Sequence, residues 1–236
     1  MKTHRSQRQA ATKHHLSAAR LANAHSASRD FRRPEKEILE LRGQLLDELN
    51  HRLKNNLQIL FGLLQTAYRK TDNLEAREVL SDTSRRIGAM GTAQQVFYSV
   101  ANSTDVSGQT FLEAICANAR LFFSKEVSIS HEATTASLPK ETSIPLALVL
   151  NELLTNAAKH GANDRGQVTI NVGLSQGSGL HELYVQDGGP GFNFEEAQER
   201  STTGLGLVTM LAQRLRGTFT VERRSGARCT LRFPDR

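Results

Sequence analysis

Cysteine is nearly absent from this sequence of 236 residues: Cys116 and Cys229 stand alone and far apart. That number and spacing exclude a disulfide scaffold or a zinc-type ligand cluster and fit a reducing compartment. Nowhere do about 18 apolar residues run together, so no membrane-spanning helix is predicted. The N-terminus is polar and lacks the apolar core of a signal peptide, and together these features predict a cytoplasmic protein. The apolar fraction is low, 38%, yet the length gives room for one large or two modest domains with a proper core.

The net charge of +6 is unevenly spread. Residues 1–33 hold eight basic side chains against the single acid Asp30, a balance of +7, which leaves −1 for the rest. The basic character therefore belongs to a tail. Rich in Ser, Ala, His and Arg with little periodicity, it reads either as a solvated flexible extension or as a contact for anionic lipid, RNA or an acidic partner.

Beyond the tail, Pro34 is placed to open a helix. From Glu35 to about Arg69, Leu46, Leu49, Leu53, Leu57, Leu60 and Leu64 recur at spacings of three and four, one continuous apolar stripe. Thr71-Asp72-Asn73 interrupts it, and Asp72 with Glu75 reads as a capping-box start for a second helix running to about Val100. Leu80, Ile87, Met90, Phe97 and Val100 fall on one side of that helix. Such a hairpin buries its stripe poorly alone, and pairing with a second copy into a four-helix bundle is the natural remedy.

After a polar linker around Asn102–Gln109, a short helix over Phe111–Phe123 leads to a strand near Val127–Ser130. A longer helix follows Pro145 and stops at Gly161. Strands are predicted at Val168–Leu174, Leu180–Val185, Phe219–Arg223 and Cys229–Phe233, with a helix over Leu205–Leu215. Gln176–Gly179 and Ser225-Gly226 mark hairpin turns. Mixed helices and mainly antiparallel strands in this order predict an α/β sandwich with helices on one face of the sheet. The fold class is α+β: a hairpin, then a sandwich.

Four motifs carry chemistry. In Glu48-Leu-Asn-His51-Arg52-Leu-Lys-Asn55, His51 falls about 150° from the centre of the leucine stripe, with Glu48 and Asn55 on the same outer face. An exposed neutral imidazole beside a carboxylate and an amide suits nucleophilic work, although geometry alone favours an ordinary surface histidine. In Asn151-Glu152-Leu-Leu-Thr-Asn156-Ala-Ala-Lys159-His160-Gly161, a carboxylate, an amide and an imidazole repeat every four positions with Lys159 adjacent. That row suits a hard cation and phosphates; the alternative is the polar edge of an amphipathic helix. Asp187-Gly-Gly-Pro-Gly191 ends a strand with glycines that admit a flat ligand and a carboxylate able to accept from an exocyclic amine. Thr202-Thr203-Gly204-Leu205-Gly206-Leu207 opens a helix with free N–H groups, an arrangement suited to phosphate, but its spacing is neither that of a Walker loop nor that of a dinucleotide fingerprint.

These four motifs in this order resemble the sensor histidine kinases, specifically an HRxxN-type branch related to the HWE kinases. His51–Asn55 looks like the phosphoacceptor box. Asn151–Gly161 looks like the N box of the gyrase, chaperone, kinase and mismatch-repair ATPases. Asp187–Gly191 and Gly204–Leu207 look like the two glycine boxes. The resemblance covers about residues 38–234 and implies a hairpin for dimerisation and phosphotransfer over 34–101 and an ATP-binding domain of the histidine kinase and gyrase type over 102–236. His51 would take the γ-phosphoryl group of ATP, flanked by Glu48, Arg52 and Asn55, with Arg52 replacing the acidic neighbour of other branches. Asn156 would ligate Mg²⁺, and Glu152 would aid the metal or a base. Lys159 and His160 would lie near the phosphates. Asp187 would meet the adenine amine in a pocket shaped by Gly189 and Gly191. Thr203, Gly204, Leu205 and Gly206 would border the phosphates under a lid at about 192–203. Catalysis would rest on positioning and charge neutralisation. The implied partners are a receiver-domain aspartate of a response regulator and a second copy of the chain.

Two departures stand out. Tryptophan is absent, so the Trp-x-Glu element of the HWE group is missing, and no sensor domain is recognisable. A histidine phosphotransfer protein with a vestigial ATPase-like domain is the alternative, which the two intact glycine boxes disfavour. A serine-kinase anti-sigma regulator would need no hairpin, and nucleic-acid binding is open only to the tail.

Overall fold

A computed structural model of the chain describes residues 41, 43–99, 105–124, 126–134, 136–194, 196 and 204–235. The predicted tail, Pro34, Val100 and Thr203 lie outside these residues. The chain divides into two compact units, Met1–Leu53 and Lys54–Arg236. The described residues of the first unit are helical and belong to helix α1 (43–70).

In the second unit the rest of α1 is followed by α2 (Leu74–Ser99). The turn between them uses a different cap from the predicted one. Asn73 Oδ1 accepts the Ala76 N–H at 3.0 Å, so the helix opens one residue later than an Asp72 cap requires, and Asp72 pairs loosely with Arg77 at 3.9 Å. Asn and Asp are about equally good N-caps, so residue type alone does not choose between them. Leu57 approaches Gly91 of α2 closely enough that a β-carbon there would meet it at 3.9 Å.

The buried face of α2 matches the predicted one at Phe97 but otherwise differs from it among the described residues. Leu80, Ile87 and Met90 are half-buried, whereas Ser84, Arg85, Ala89, Ala93, Gln94, Val96 and Phe97 are buried. The reason is that α2 packs on α3 (Gly108–Arg120) and α4 (Ser143–His160) as well as on α1. Small residues admit that second approach, and Phe97 meets Phe111 of α3 edge-on with ring centroids 6.1 Å apart.

Strands β1 (Asp105–Ser107) and β3 (Ser137–Pro139) form a small antiparallel sheet, too short to signal itself in sequence. The main sheet has the order β2-β4-β5-β7-β6, from β2 (Val127–Ala133), β4 (Val168–Gly177), β5 (Leu180–Asp187), β6 (Thr218–Arg223) and β7 (Ala227–Pro234). Only β2 and β4 pair in parallel, because α4 lies between them in the chain as the crossover that parallel neighbours require. The other pairs are antiparallel, as expected.

Alternation then sets the layers. Ile170, Val172, Leu174, Leu183, Val185, Leu231 and Phe233 point to one face, where they bury against Leu146, Leu150, Leu153 and Leu154 of α4, Ile115 of α3 and Val208 and Leu211 of α5 (Gly204–Arg214). Each such leucine contributes roughly 1.5–3 kcal/mol by burial. The opposite face presents Thr169 and Asn171 to solvent. The fold is therefore the expected α/β sandwich preceded by helices. Among the described residues no helix is long and apolar enough to cross a membrane.

Candidate functional site

In the first unit, His51 is exposed on α1, as are its stripe neighbours Leu49 and Leu53. The Arg52 Nε donates to Glu48 Oε1 at 2.7 Å across one helical turn. That hydrogen bond and the arginine charge hold the Glu48 carboxyl below the usual glutamate range. The carboxylate expected beside His51 is thus engaged by Arg52. Asn55, on the same outer face by sequence, is exposed in the second unit.

The second unit holds a cavity of about 480 Å³ between α4, α5 and the ends of β5, β6 and β7, where Asn156, His160, Asp187, Gly191 and Leu205 are among the lining residues. Asp187 marks one end. It ends β5, and its Oδ1 accepts the N–H groups of Gly189 at 2.9 Å and Ala227 at 3.1 Å. Among the described residues none donates to Oδ2. Two glycines outside the Asp187 motif hold this residue in place. Gly161 ends α4 against it, and Gly226, at φ 135°, lets the β6–β7 turn close over the Asp187 carbonyl. Sequence reading took Gly161 as a helix stop and Gly226 as a hairpin turn, and their second role was legible only through the register Gln186↔Arg228 that brings the turn to Asp187.

The other end is built by α4 and the start of α5. A β-carbon on Gly204 would lie 3.3 Å from Glu152 Oε2 and 3.9 Å from Asn156 Oδ1. Two side-chain oxygens of α4 thus lie beside Gly204 at the start of α5, and a helix start favours anions. Of the two, Asn156 lines the cavity, and its amide oxygen is the kind of donor Mg²⁺ takes, completing its shell with phosphates and water. Gly206, expected to border the phosphates, is exposed with open space at its α-carbon.

Glu152 and Lys159 do not line the cavity; both are taken by α2. Arg86 donates from Nε to Glu152 Oε1 at 2.8 Å and from Nη2 to Oε2 at 2.9 Å. Glu152 is 8% exposed and Arg86 26%, and the bonded carboxylate raises the affinity of the guanidinium for its proton. The Lys159 ammonium donates to Glu78 at 2.6 Å and lies 3.6 Å from Asp82. The placement of Lys159 near phosphates is thus not what this arrangement brings about: its ammonium is held on the α2 side of α4. Arg86 was missed in sequence, although Glu78, Asp82 and Arg86 form a charged row at four-residue spacing that could have flagged it.

The predicted lid begins with two anchors. Phe192 packs against the core, and Phe194 meets Phe219 edge-on at 5.4 Å. Residues 195 and 197–203 lie outside the described residues. Asn193 and Glu196, within the predicted lid, also line the cavity, as do Arg223 and Cys229, which the sequence did not single out for this site.

Comparison with known proteins decides the family. Residues 48–123 match the family described as histidine kinase, and residues 141–236 match the histidine kinase-, DNA gyrase B- and HSP90-like ATPases. The chain belongs to the histidine kinases. Among curated relatives, this histidine kinase is 28% identical over 196 residues to the sensor histidine kinase PdtaS of Mycobacterium tuberculosis, which covers 79% of this chain and 38% of the relative. It is 30% identical over 203 residues to a blue-light-activated histidine kinase of Brucella anthropi, covering 80% of this chain and 36% of that one. The chain thus spans little more than a third of the length of these relatives. The solved histidine kinase domain of the Erythrobacter litoralis blue-light-activated kinase EL346 superposes with a TM-score of 0.58 at 21% identity, covering 76% of this chain and 94% of that domain, a likeness of fold.

Proposed function

We propose that this chain is an ATP-dependent protein histidine kinase that phosphorylates its own His51 and passes the phosphoryl group to an aspartate of a response regulator. The observation that carries the reading is the Asp187 end of the cavity. One carboxylate oxygen is saturated by two backbone N–H groups and the other has no donor among the described residues, the arrangement an adenine amine would complete. In the reaction an imidazole nitrogen of His51 attacks the γ-phosphorus, the bond from phosphorus to the β–γ bridging oxygen breaks, ADP departs and the imidazole gives up its proton. Mg²⁺ bound with the nucleotide would neutralise the charge on the β- and γ-phosphates. Asn156 Oδ1, with Glu152, would hold it. Gly204 and Leu205 would border the phosphates with the N–H groups of α5, Thr203 would add its hydroxyl, and His160 would lie alongside. Gly189 and Gly191 would shape the adenine pocket.

The domains in this reading are a basic tail (1–33), the dimerising phosphotransfer hairpin (34–101) and the ATP-binding domain (102–236). A second copy of the chain would cover the leucine stripe of α1, where Leu46, Leu49, Leu53 and Leu60 are between 45% and 61% exposed. Location in the cytoplasm is part of the proposal, supported by two free, buried thiols. The test is a phosphotransfer chase. Protein labelled from γ-labelled ATP and Mg²⁺ should lose its label to one or a few of the host's receiver domains within seconds to minutes. A nucleotide titration with no detectable ATP affinity would instead favour a phosphotransfer protein with a vestigial ATPase-like domain.

A further inference from the structure

Two helices of the second unit meet through charges in a fixed order. On α2, Glu78, Asp82 and Arg86 form one row at four-residue spacing; on α4, Glu152 and Lys159 lie seven residues apart. Glu78 and Asp82 meet Lys159, and Arg86 meets Glu152, so the helices run antiparallel at this contact. Eight residues along α2 rise about 12 Å and seven along α4 about 10.5 Å, so both pairs form in one register. The pairs differ in depth. Lys159 and Glu78 are 37% and 63% exposed, whereas the Glu152 carboxylate is nearly buried and both its oxygens are bonded to one guanidinium.

The carboxylate that Arg86 holds is the one whose Oε2, like Asn156 Oδ1, lies beside Gly204 at the start of α5, one helical turn from the cavity-lining Asn156. A planar guanidinium bonded to both oxygens in a nearly dry setting neutralises the charge that a cation would otherwise use. A second cation at the same carboxylate would share its lone pairs and repel the guanidinium. Asn156 and His160 line the cavity, while Glu152 and Lys159, the two charged groups of the same motif, are bound to α2.

We propose that Arg86 is a positioning residue that competes with the magnesium-bearing triphosphate for Glu152, so that filling the pocket releases α2 from α4 and a docked α2 keeps the pocket weak. This rests on the proposed role of Glu152 toward the metal. The coupling is reciprocal: whatever factor docking takes from nucleotide affinity, nucleotide takes from docking. Arg86 need not touch nucleotide; it acts through Glu152.

The test is made on the full chain with Mg²⁺ and a non-hydrolysable ATP analogue. Hydrogen exchange of α2 amides is followed with and without ligand, and affinity is measured by calorimetry for wild type, Arg86→Gln, Arg86→Lys and the double variant Glu78→Gln/Asp82→Asn. Amides of residues 78–90 are expected to exchange faster in the loaded protein. Arg86→Gln is expected to bind the magnesium complex roughly fivefold or more tightly, Arg86→Lys to fall between, and the nucleotide without Mg²⁺ to show little change. The double variant, which removes both carboxylates that hold Lys159 and also frees Arg85 from Asp82, is expected to move in the same direction and serves if Arg86→Gln fails to fold. Unchanged α2 exchange on saturation, or equal affinity in the folded variants, would overturn the proposal while wild-type binding leaves the nucleotide reading intact. A wild type that binds no nucleotide would remove both.

Discussion

Gly226 closes the β6–β7 turn directly onto Asp187: a β-carbon at this glycine would lie 1.9 Å from the Asp187 carbonyl oxygen and 3.1 Å from Oδ1. The obstacle is backbone, which cannot swing away as a side chain would. The φ of 135° adds strain for any other residue. Gly226→Ala is therefore expected to displace the turn, break the Ala227 N–H bond to Asp187 and cost about 1–3 kcal/mol of stability. A thermal melt and an ADP titration check this, with affinity falling at least tenfold in protein that remains folded. Unaltered affinity would show that the turn does not shape the pocket.

Asp187→Asn separates charge from shape. The amide oxygen can still accept from Gly189 and Ala227, so the fold should hold. The amide nitrogen then takes the place of Oδ2 and donates where an adenine amine also donates. Loss of that bond and the unpaired donors are expected to weaken adenine nucleotide binding by about 1.5–3 kcal/mol. Calorimetry with ADP measures it.

Much of this was legible in sequence, for reasons that differ by element. The core strands and α4 follow directly from apolar alternation and periodicity, whereas the leucine stripe of α1 is itself largely exposed, so the exposure of His51 does not set it apart from that stripe. The β1–β3 pair was not legible, since three-residue strands carry no periodic signal. The buried face of α2 was misjudged because its second neighbour, α4, is distant in sequence, and a packing surface made of Ser84, Ala89 and Ala93 does not look apolar. The Arg86–Glu152 pair spans 66 residues, and its partners were each read as members of their own helix. Gly226 looked like any hairpin glycine until the register placed it on Asp187.

The two thiols offer a reagent-level check on the packed domain. Burial pushes both Cys116 and Cys229 up to about 12. Only the thiolate reacts, so native protein at pH 8 should alkylate far more slowly than a free thiol, and at both positions quickly once unfolded. Mass spectrometry after timed iodoacetamide treatment reads the result. Rapid modification of Cys229 in native protein would mean that the cavity wall it helps to form is open.

The leucine stripe predicts self-association. Leu49 is 61% exposed and Leu60 47%, and both would sit inside a bundle made with a second copy. Leu49→Lys/Leu60→Lys is expected to weaken the dimer by roughly three orders of magnitude or more, since each buried leucine lost costs a few kcal/mol. Sedimentation of the full chain at micromolar concentration distinguishes the cases. A wild type that sediments as a monomer would count against the bundle.

The reading of this chain as a self-phosphorylating kinase is tested most directly by incubating it with γ-labelled ATP and Mg²⁺ and mapping the phosphate. Wild type is expected to gain acid-labile, base-stable label on His51, and His51→Ala, which removes an exposed side chain, to remain folded and unlabelled. Equal labelling of His51→Ala, or phosphate mapped to another residue, would contradict the account.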